Sequence, residues 1–478
     1  MGAKIKKINS PTIFIILGVT GDLAQRKIIP ALFNLYKENM LPEKFRMVGF
    51  SRRDWDKNQF NTYLNKVVAK RCGRVPKKIM DKFLAHSQFE KGFFEDQQCY
   101  HYLDETLKKV AIEIGVCTNK LFHLAVPPSM NEMIFKNLAK SKLTKPCGGT
   151  FGWTRVIVEK PFGHNLKTAE MLDRLLRKLY KEEQIFRIDH YLGKETLQNI
   201  LAFRFANTLF EPVWNKEYVE RIEIKLHEKA LVAERGAFYD ETGALRDIGQ
   251  NHMMQTLALI TMEDPGTLET GVIRKARAEV LKALEPIKRK NLAQQVRRGQ
   301  YQGFLENPEI QKNSKTETYF TLQAHINNKR WKGVPIILEA GKGLKKDSKK
   351  ISIYFKERST CVCDIATNQH LQNVLEFNIS PKEGISLQFW TKKSGFTMEV
   401  ERREFSFNYR KSSTKNHPHD AYEQLLFDAM RGDQTLFAST DEVVAAWKFI
   451  TPILEHWHAV PLQKYEQGSA QIGAKTFN

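Results

Sequence analysis

Thr12-Ile13-Phe14-Ile15-Ile16-Leu17-Gly18-Val19-Thr20-Gly21-Asp22-Leu23-Ala24 is the stretch that decides the fold. Its first six residues form a run with only one polar side chain, at its start. A strand buried on both faces needs such a run, whereas a half-buried strand alternates. The run stops at Gly18, and a helical pattern follows from about Leu23 to Tyr36. Glycines at such a turn allow tight turning and close approach of the backbone to a pyrophosphate. The helix start adds N–H donors and a favourable dipole. The spacing is Gly-x-x-Gly, not Gly-x-Gly-x-x-Gly, so taken alone a plain strand-to-helix turn explains it equally well. Gly18, Thr20, Gly21, Asp22 and Leu23 are the candidate contacts to a dinucleotide.

Outward from this stretch the alternation continues. Phe45 to Phe50 reads as a second strand, Lys120 to Val126 as a third ending at Pro127-Pro128, and Arg155 to Val158 as a fourth ending at Glu159-Lys160-Pro161. Leu166, Ala169, Leu172, Leu176 and Leu179 then recur at helical spacing. Strand-helix alternation predicts a doubly wound parallel sheet up to about residue 188. Arg52 directly follows the second strand, where a dinucleotide fold meets the adenosine ribose. A cation there favours a 2′-phosphate, hence NADP over NAD, against the plainer reading of a solvated surface arginine.

Beyond residue 188 the period changes to two. Ile222, Ile224 and Leu226 alternate with charged residues, as do Phe320, Leu322, Ala324 and Ile326. Ile385, Leu387 and Phe389 repeat the pattern, and so do Phe405, Phe407 and Tyr409. Sheets with one buried face, typically antiparallel, read this way. Helical patterns interrupt at about 244–262, 275–297, 420–431 and 440–455. Residues 298–316 read as a polar surface excursion and the tail from Gln467 as loose. The expected architecture is an α/β Rossmann-like nucleotide domain over residues 1–188, followed by a larger α+β domain with a mainly antiparallel sheet over 189–478.

Composition agrees. With 478 residues, 42% of them hydrophobic, the chain can bury large cores. No run of about 18 apolar residues exists, so no membrane span is expected, and the apolar stretch near the N-terminus is too short for a signal-peptide core. The six cysteines have no zinc-like spacing, Cys361 and Cys363 read as ordinary packing residues, and a reduced, cytoplasmic compartment is the plain reading. The net charge of +21 attracts anions in general. Its lysines and arginines are spread along the chain, without an aromatic-basic signature of nucleic-acid binding.

Two further stretches carry candidate chemistry. Asp189, His190, Tyr191 and Lys194 fall within six residues. A histidine, a phenol and an ammonium can together hold a phosphate dianion through charge-assisted hydrogen bonds. His190 and Lys194 share a face if the segment is helical, and Gly193 would let the backbone turn. A capped helix start with surface charges is the equal alternative. Asp247 and His252 lie close together among apolar residues. A packed core histidine is the blander reading; a general base needs a carboxylate to fix its tautomer and balance its cation. Glu228 ends a strand on its buried side, which calls for a polar ligand or a salt bridge.

Taken together, these residues resemble the glucose-6-phosphate dehydrogenase family. Arg187 to Glu195 carries the resemblance most closely. It extends through Gly18 to Ala24, Leu124 to Pro128, Glu159 to Gly163, Arg204 to Asn207, Arg246-Asp247, Gln250 to His252, Ser314 to Thr318, Gly341-Lys342, Ala421 to Glu423 and Gly468-Ser469. It spans nearly the whole chain in order. The resemblance implies NADP-dependent oxidation of glucose 6-phosphate at C1, the entry step of the pentose phosphate pathway. It implies His252 as general base and Asp189 as its orienting carboxylate. His190, Tyr191 and Lys194 would hold the 6-phosphate, and Glu228 and Asp247 would accept from sugar hydroxyls. Lys342 would contact substrate, and Lys160 would bridge substrate and nicotinamide before a cis Pro161. No metal is implied. A homodimer or homotetramer formed through the large-domain sheet is implied, and nucleic acid is not an expected partner. A sugar dehydrogenase with another substrate is the runner-up. The sequence departs from the family pattern in places. The position that usually holds a second lysine is Asp347, leaving Lys345, Lys346 or Lys349 as substitutes. Asn131 stands for a common aromatic residue and Ser380 for a common glutamine. The C-terminal extension of animal members is missing, so no second, structural NADP site is expected.

Overall fold

The computed structural model describes residues 8–146, 152–233, 235–357, 371–409, 419–470 and 472. Cys147, Cys361 and Cys363 lie outside the described residues. The chain divides into two compact units. One comprises residues up to 163, 167–193 and 419–440; the other comprises 164–166, 194–418 and 441 onward.

The first unit holds a sheet of β1 (Thr12–Leu17), β2 (Phe45–Ser51), β3 (Ser87–Lys91), β4 (Asn119–Leu124), β5 (Thr154–Val158) and β6 (Ile185–Ile188). Their order is β3-β2-β1-β4-β5-β6, all parallel, with a two-residue β15 (Phe437–Ala438) antiparallel on β6. Every residue of β1 is buried, which is why its sequence shows no alternation. β1 sits between β2 and β4, the point where strand order reverses. Open sheets of this type bind ligands outside the carboxyl ends of the strands at such a point. The helix Ala421–Arg431 also belongs to this unit. Asp420 caps its start by accepting the Tyr422 N–H, and Gly432 ends it in the left-handed conformation at φ 85°.

The second unit is built on β7 (Val219–His227), β8 (Val296–Tyr301), β9 (Tyr319–Ala324), β10 (Ile336–Gly341), β11 (Ser348–Phe355), β12 (Val374–Ser380), β13 (Gly384–Lys392), β14 (Val400–Asn408) and β16 (Leu462–Tyr465). The order is β14-β13-β12-β11-β7-β10-β9-β8-β16, and only the β7–β10 and β8–β16 pairs are parallel. Ile222, Ile224, Leu226, Phe320, Leu322 and Ala324 are all buried, as their alternation requires.

Several local expectations fail for identifiable reasons. Phe405 and Phe407 are 67% and 51% exposed: β14 is the last strand of the sheet, and among the described residues only the Phe389 ring stacks on Phe405. Residues 298–301 belong to β8 rather than to a surface excursion: Arg298 and Gln300 are buried, hydrogen-bonded by side chain to the Val460 carbonyl and to the Ser314 and Thr316 carbonyls. The helix expected at 275–297 runs from Thr270 to Lys282. The tail is pinned at Gly468, whose N–H donates to Gly343, and at Ser469, whose carbonyl accepts from Lys345. Cys72 and Cys99 are free thiols, whereas Cys117 is disulfide-bonded, against the reading of uniformly reduced cysteines. Among the described residues, no helix is long and apolar enough to cross a membrane.

Candidate active site

The turn after β1 is built for close approach. Gly18 has φ 87°, and a Cβ there would lie 2.6 Å from the Ala125 carbonyl oxygen. Its N–H donates to Phe50, its carbonyl accepts from Gly21, and Ala125 N–H donates to Leu17. The turn is thereby locked to the ends of both neighbouring strands, and the helix that begins beyond it leaves first-turn N–H groups without intrahelical acceptors. Thr20, Asp22 and Leu23 sit at this opening, with Asp22 exposed and paired with Arg26 at 3.4 Å. Arg52 lies exposed just past the end of β2. This cradle fits a dinucleotide pyrophosphate.

Glu159-Lys160-Pro161 follows β5, and the Lys160–Pro161 bond is cis. Glu159 accepts from the Tyr422 hydroxyl, 3.3 Å from each oxygen, and faces His123 Nε2 at 2.9 Å. Tyr422 also lies near-parallel to His190, 6.4 Å between ring centroids, and His190 packs against Tyr191 at 5.1 Å. The segment after β6 is a turn rather than a helix. Asp189 Oδ1 accepts the Tyr191 N–H at 2.9 Å, and the Asp189 carbonyl accepts the Leu192 N–H. His190 and Lys194 therefore do not share a helical face. Lys194 is instead the N-cap of the helix Glu195–Phe205 and opens the 194–418 stretch of the second unit. Gly193 is required for space, not for φ: a Cβ would sit 2.7 Å from the Ala421 carbonyl. Arg187, buried in β6, is consumed by Glu182, Asp173 and Thr440.

In the second unit, three strand ends converge. β7 and β10 are parallel, so Glu228 and Lys342 leave the sheet side by side, and β11 begins next to them. Lys349 pairs with Leu226 and Lys350 with Lys225. Lys349 thus shares the core face with Glu228, and Lys350 takes the other face, where it meets Glu376 at 2.5 Å. Lys342 and Lys349 both hold the Glu228 carboxylate, the latter at 2.9 Å. Burial alone would raise that carboxyl; the two ammonium groups outweigh it and hold it at about 2. Asp347 turns away and accepts the Lys229 N–H at 3.1 Å. Lys345 and Lys346 are exposed.

Asp247 and His252 occupy one continuous helical segment, Leu245–Met253, wound with π spacing and continued by Met254–Thr261. His252 is buried and its N–H donates to Asn251 Oδ1 at 2.5 Å. Asp247 is half-buried. Tyr239 is buried within range of the charges of both Asp247 and Glu228. Burial, then the charges of Asp247, Glu317 and Glu228, push its phenol well upward, and the Lys342 ammonium lies 5.6 Å from its ring. A separate cavity of about 860 Å³ in this unit, lined by Arg204, Glu211, Glu263 and Arg330, contains none of the candidate residues. Its charges pair internally, Arg330 with Glu211 and Glu263 at 2.7 Å each.

The residues that sequence reasoning missed are supports. Tyr422 and Glu317 fall inside motifs quoted above, but no local pattern announces what they touch. Asn131 is buried at the start of the helix Asn131–Lys140, in place of the expected aromatic ring.

Residues 15–199 match the family model described as glucose-6-phosphate dehydrogenase, NAD binding domain, and residues 201–476 match the model for its C-terminal domain. Glucose-6-phosphate 1-dehydrogenase 2 of Mycobacterium tuberculosis is 37% identical, over 98% of this chain and 92% of that protein. Glucose-6-phosphate 1-dehydrogenase of Chlamydia muridarum is 38% identical, over 94% and 91%. A solved glucose-6-phosphate dehydrogenase in complex with its substrate glucose-6-phosphate superimposes with a TM-score of 0.89 at 31% identity, covering 98% of this chain and 96% of that one. The chain belongs to the glucose-6-phosphate dehydrogenase family.

Proposed function

We propose that the protein oxidises β-D-glucose 6-phosphate at C1 with NADP⁺, giving 6-phosphogluconolactone and NADPH. The observation that carries this reading is the Glu228–Lys342–Lys349 cluster at the open end of the second sheet's core face. It supplies an ionised acceptor for sugar hydroxyls next to cations for a phosphate. His252 is the base that takes the C1 hydroxyl proton. Asp189 is the carboxylate that balances the resulting imidazolium. Asp247 and Glu228 hold sugar hydroxyls; His190, Tyr191 and Lys194 hold the 6-phosphate; Lys160 spans sugar and cofactor. Bound nicotinamide supplies the hydride acceptor. Proton removal and orientation are the whole task of the side chains, so no metal enters. Steady-state reduction of NADP⁺ with glucose 6-phosphate, compared with free glucose at equal concentration, tests the reading. Equal rates with the two sugars would refute it.

The Arg52 position supports NADP over NAD. A charge-assisted contact to a phosphate is worth roughly 1.5–3 kcal/mol. Arg52→Ala should therefore weaken NADP⁺ by about tenfold to a hundredfold and leave NAD⁺ nearly unchanged, measured as dissociation constants. Equal losses would remove Arg52 from 2′-phosphate recognition.

The exposed rings of β14 support a homodimer or homotetramer. Phe405 stacks on Phe389 of β13 at 4.2 Å, yet it and Phe407 face solvent. Sedimentation should give a mass above one chain, and Phe405→Arg should lower it. A monomeric parent protein would contradict the assignment of this face.

A further inference from the structure

We infer that Glu317 is a positioning residue for the reaction proposed above, anchoring the first turn of the segment that carries Asp247 and His252. Glu317 is 2% exposed and lies just before β9. One carboxylate oxygen accepts the Leu245 N–H at 3.0 Å, and the other accepts the Trp457 Nε1–H at 2.8 Å. The Glu317 carbonyl accepts the Ala244 N–H at 3.1 Å. One residue therefore takes up two consecutive N–H groups at the start of Leu245–Met253, groups with no intrahelical acceptor.

The neighbourhood is shaped around this contact. Gly243 has φ 70°, and a Cβ there would stand 2.5 Å from a Glu317 carboxylate oxygen. Any other residue would push the acid away from the turn it holds. Burial drives the Glu317 carboxyl upward, opposed by the Leu245 N–H, the Trp457 indole N–H and the Arg246 charge. The donor arrangement favours an acid here despite burial. Two N–H donors point at two oxygens, and only a carboxylate accepts well at both. A glutamine would set its amide N–H against the indole N–H.

The consequence concerns geometry. Apolar packing through Leu245, Ile248 and Met253, all buried, also holds the segment, and the Arg246 side chain donates to the His164 and Thr242 carbonyls. Such packing resists sliding and rotation less sharply than directed hydrogen bonds do. Asp247 lies two residues after the anchored N–H and His252 seven, so a shift at Leu245 moves the sugar acceptor and the base together. Displacement of reacting groups by about 1 Å costs on the order of a hundredfold in rate.

The test uses the full chain with Glu317→Gln, Trp457→Phe and the double variant. Glu317→Gln should lower kcat by about tenfold to a hundredfold and raise KM for glucose 6-phosphate, with the NADP⁺ dissociation constant unchanged, since the cofactor cradle lies in the other unit. Trp457→Phe, which removes one donor, should lower kcat by a few fold. The double variant removes the opposed N–H pair and should regain most of the turnover lost in Glu317→Gln. If Glu317→Gln does not fold, the Trp457→Phe and double variants decide. Turnover within twofold of the parent in every folded variant, with only the melting temperature lowered, would reduce Glu317 to a structural role and overturn the inference. A parent protein inactive on glucose 6-phosphate would instead overturn the reading on which the inference rests.

Discussion

His252→Asn should lower kcat by about 10²–10⁴-fold, the range over which a positioned general base acts, while KM for glucose 6-phosphate stays within a few fold. Asparagine retains a polar group of similar reach but cannot accept and hold the C1 hydroxyl proton. The site gives water little access as a substitute base, because His252 is 3% exposed on a segment whose neighbours Gln250, Asn251 and Met253 are also buried. Steady-state kinetics with both substrates saturating measure the effect. With the base removed, the chemical step should limit turnover, so a primary isotope effect at C1 should grow. Asp189→Asn should follow the same direction, since a buried imidazolium without a carboxylate is disfavoured. Near-parent turnover in His252→Asn would remove the base assignment.

Lys349→Met should raise KM for glucose 6-phosphate by about tenfold to a hundredfold, the equivalent of one charge-assisted contact of roughly 1.5–3 kcal/mol. Methionine keeps the apolar stem and removes the charge. Turnover of free glucose should fall much less, since the proposed phosphate contact is absent there and only the Lys349 hold on Glu228 is lost. The sequence left three lysines open for this role. Strand register separates them: Lys349 stands opposite Leu226 on the core face with Glu228, whereas Lys345 and Lys346 are exposed. A loss in Lys345→Met or Lys346→Met with none in Lys349→Met would contradict the assignment. The variant should also loosen Glu228, whose carboxyl depends on both ammonium groups to stay near 2. A depressed carboxyl contributes stability above its unfolded pKa and loses it as pH falls toward the folded value. Lys349→Met should therefore narrow the difference in stability between pH 6 and pH 3, read from thermal melts.

Period and punctuation carried much of the architecture. The unbroken run at β1, Gly18 and the switch to period two after residue 188 are local signals, and the two sheets follow them. Glu228 also keeps the face read from its parity, since a residue two beyond Leu226 must share it. What was not legible depends on contacts distant in sequence. The helix Ala421–Arg431 reads as any amphipathic helix, and only tertiary packing shows that Tyr422 supports Glu159, which lies 263 residues earlier. Glu317 sits inside a recognisable motif, but its partners Leu245 and Trp457 are 72 and 140 residues away. Gly193 was assigned to conformational freedom, whereas the Ala421 carbonyl makes it a matter of space. The alternation in β13 and β14 predicted burial, yet Ile385, Leu387 and Phe389 are half-buried and, among the described residues, Phe405 and Phe407 stay exposed.

The central claim is that hydride leaves C1 of a phosphorylated glucose for the nicotinamide. Its most direct test is glucose 6-phosphate deuterated at C1, incubated with the protein and NADP⁺, with the reduced cofactor analysed by mass spectrometry. One deuterium on the nicotinamide ring is expected for each lactone formed. Unlabelled reduced cofactor, or no reduction with this sugar, would contradict it.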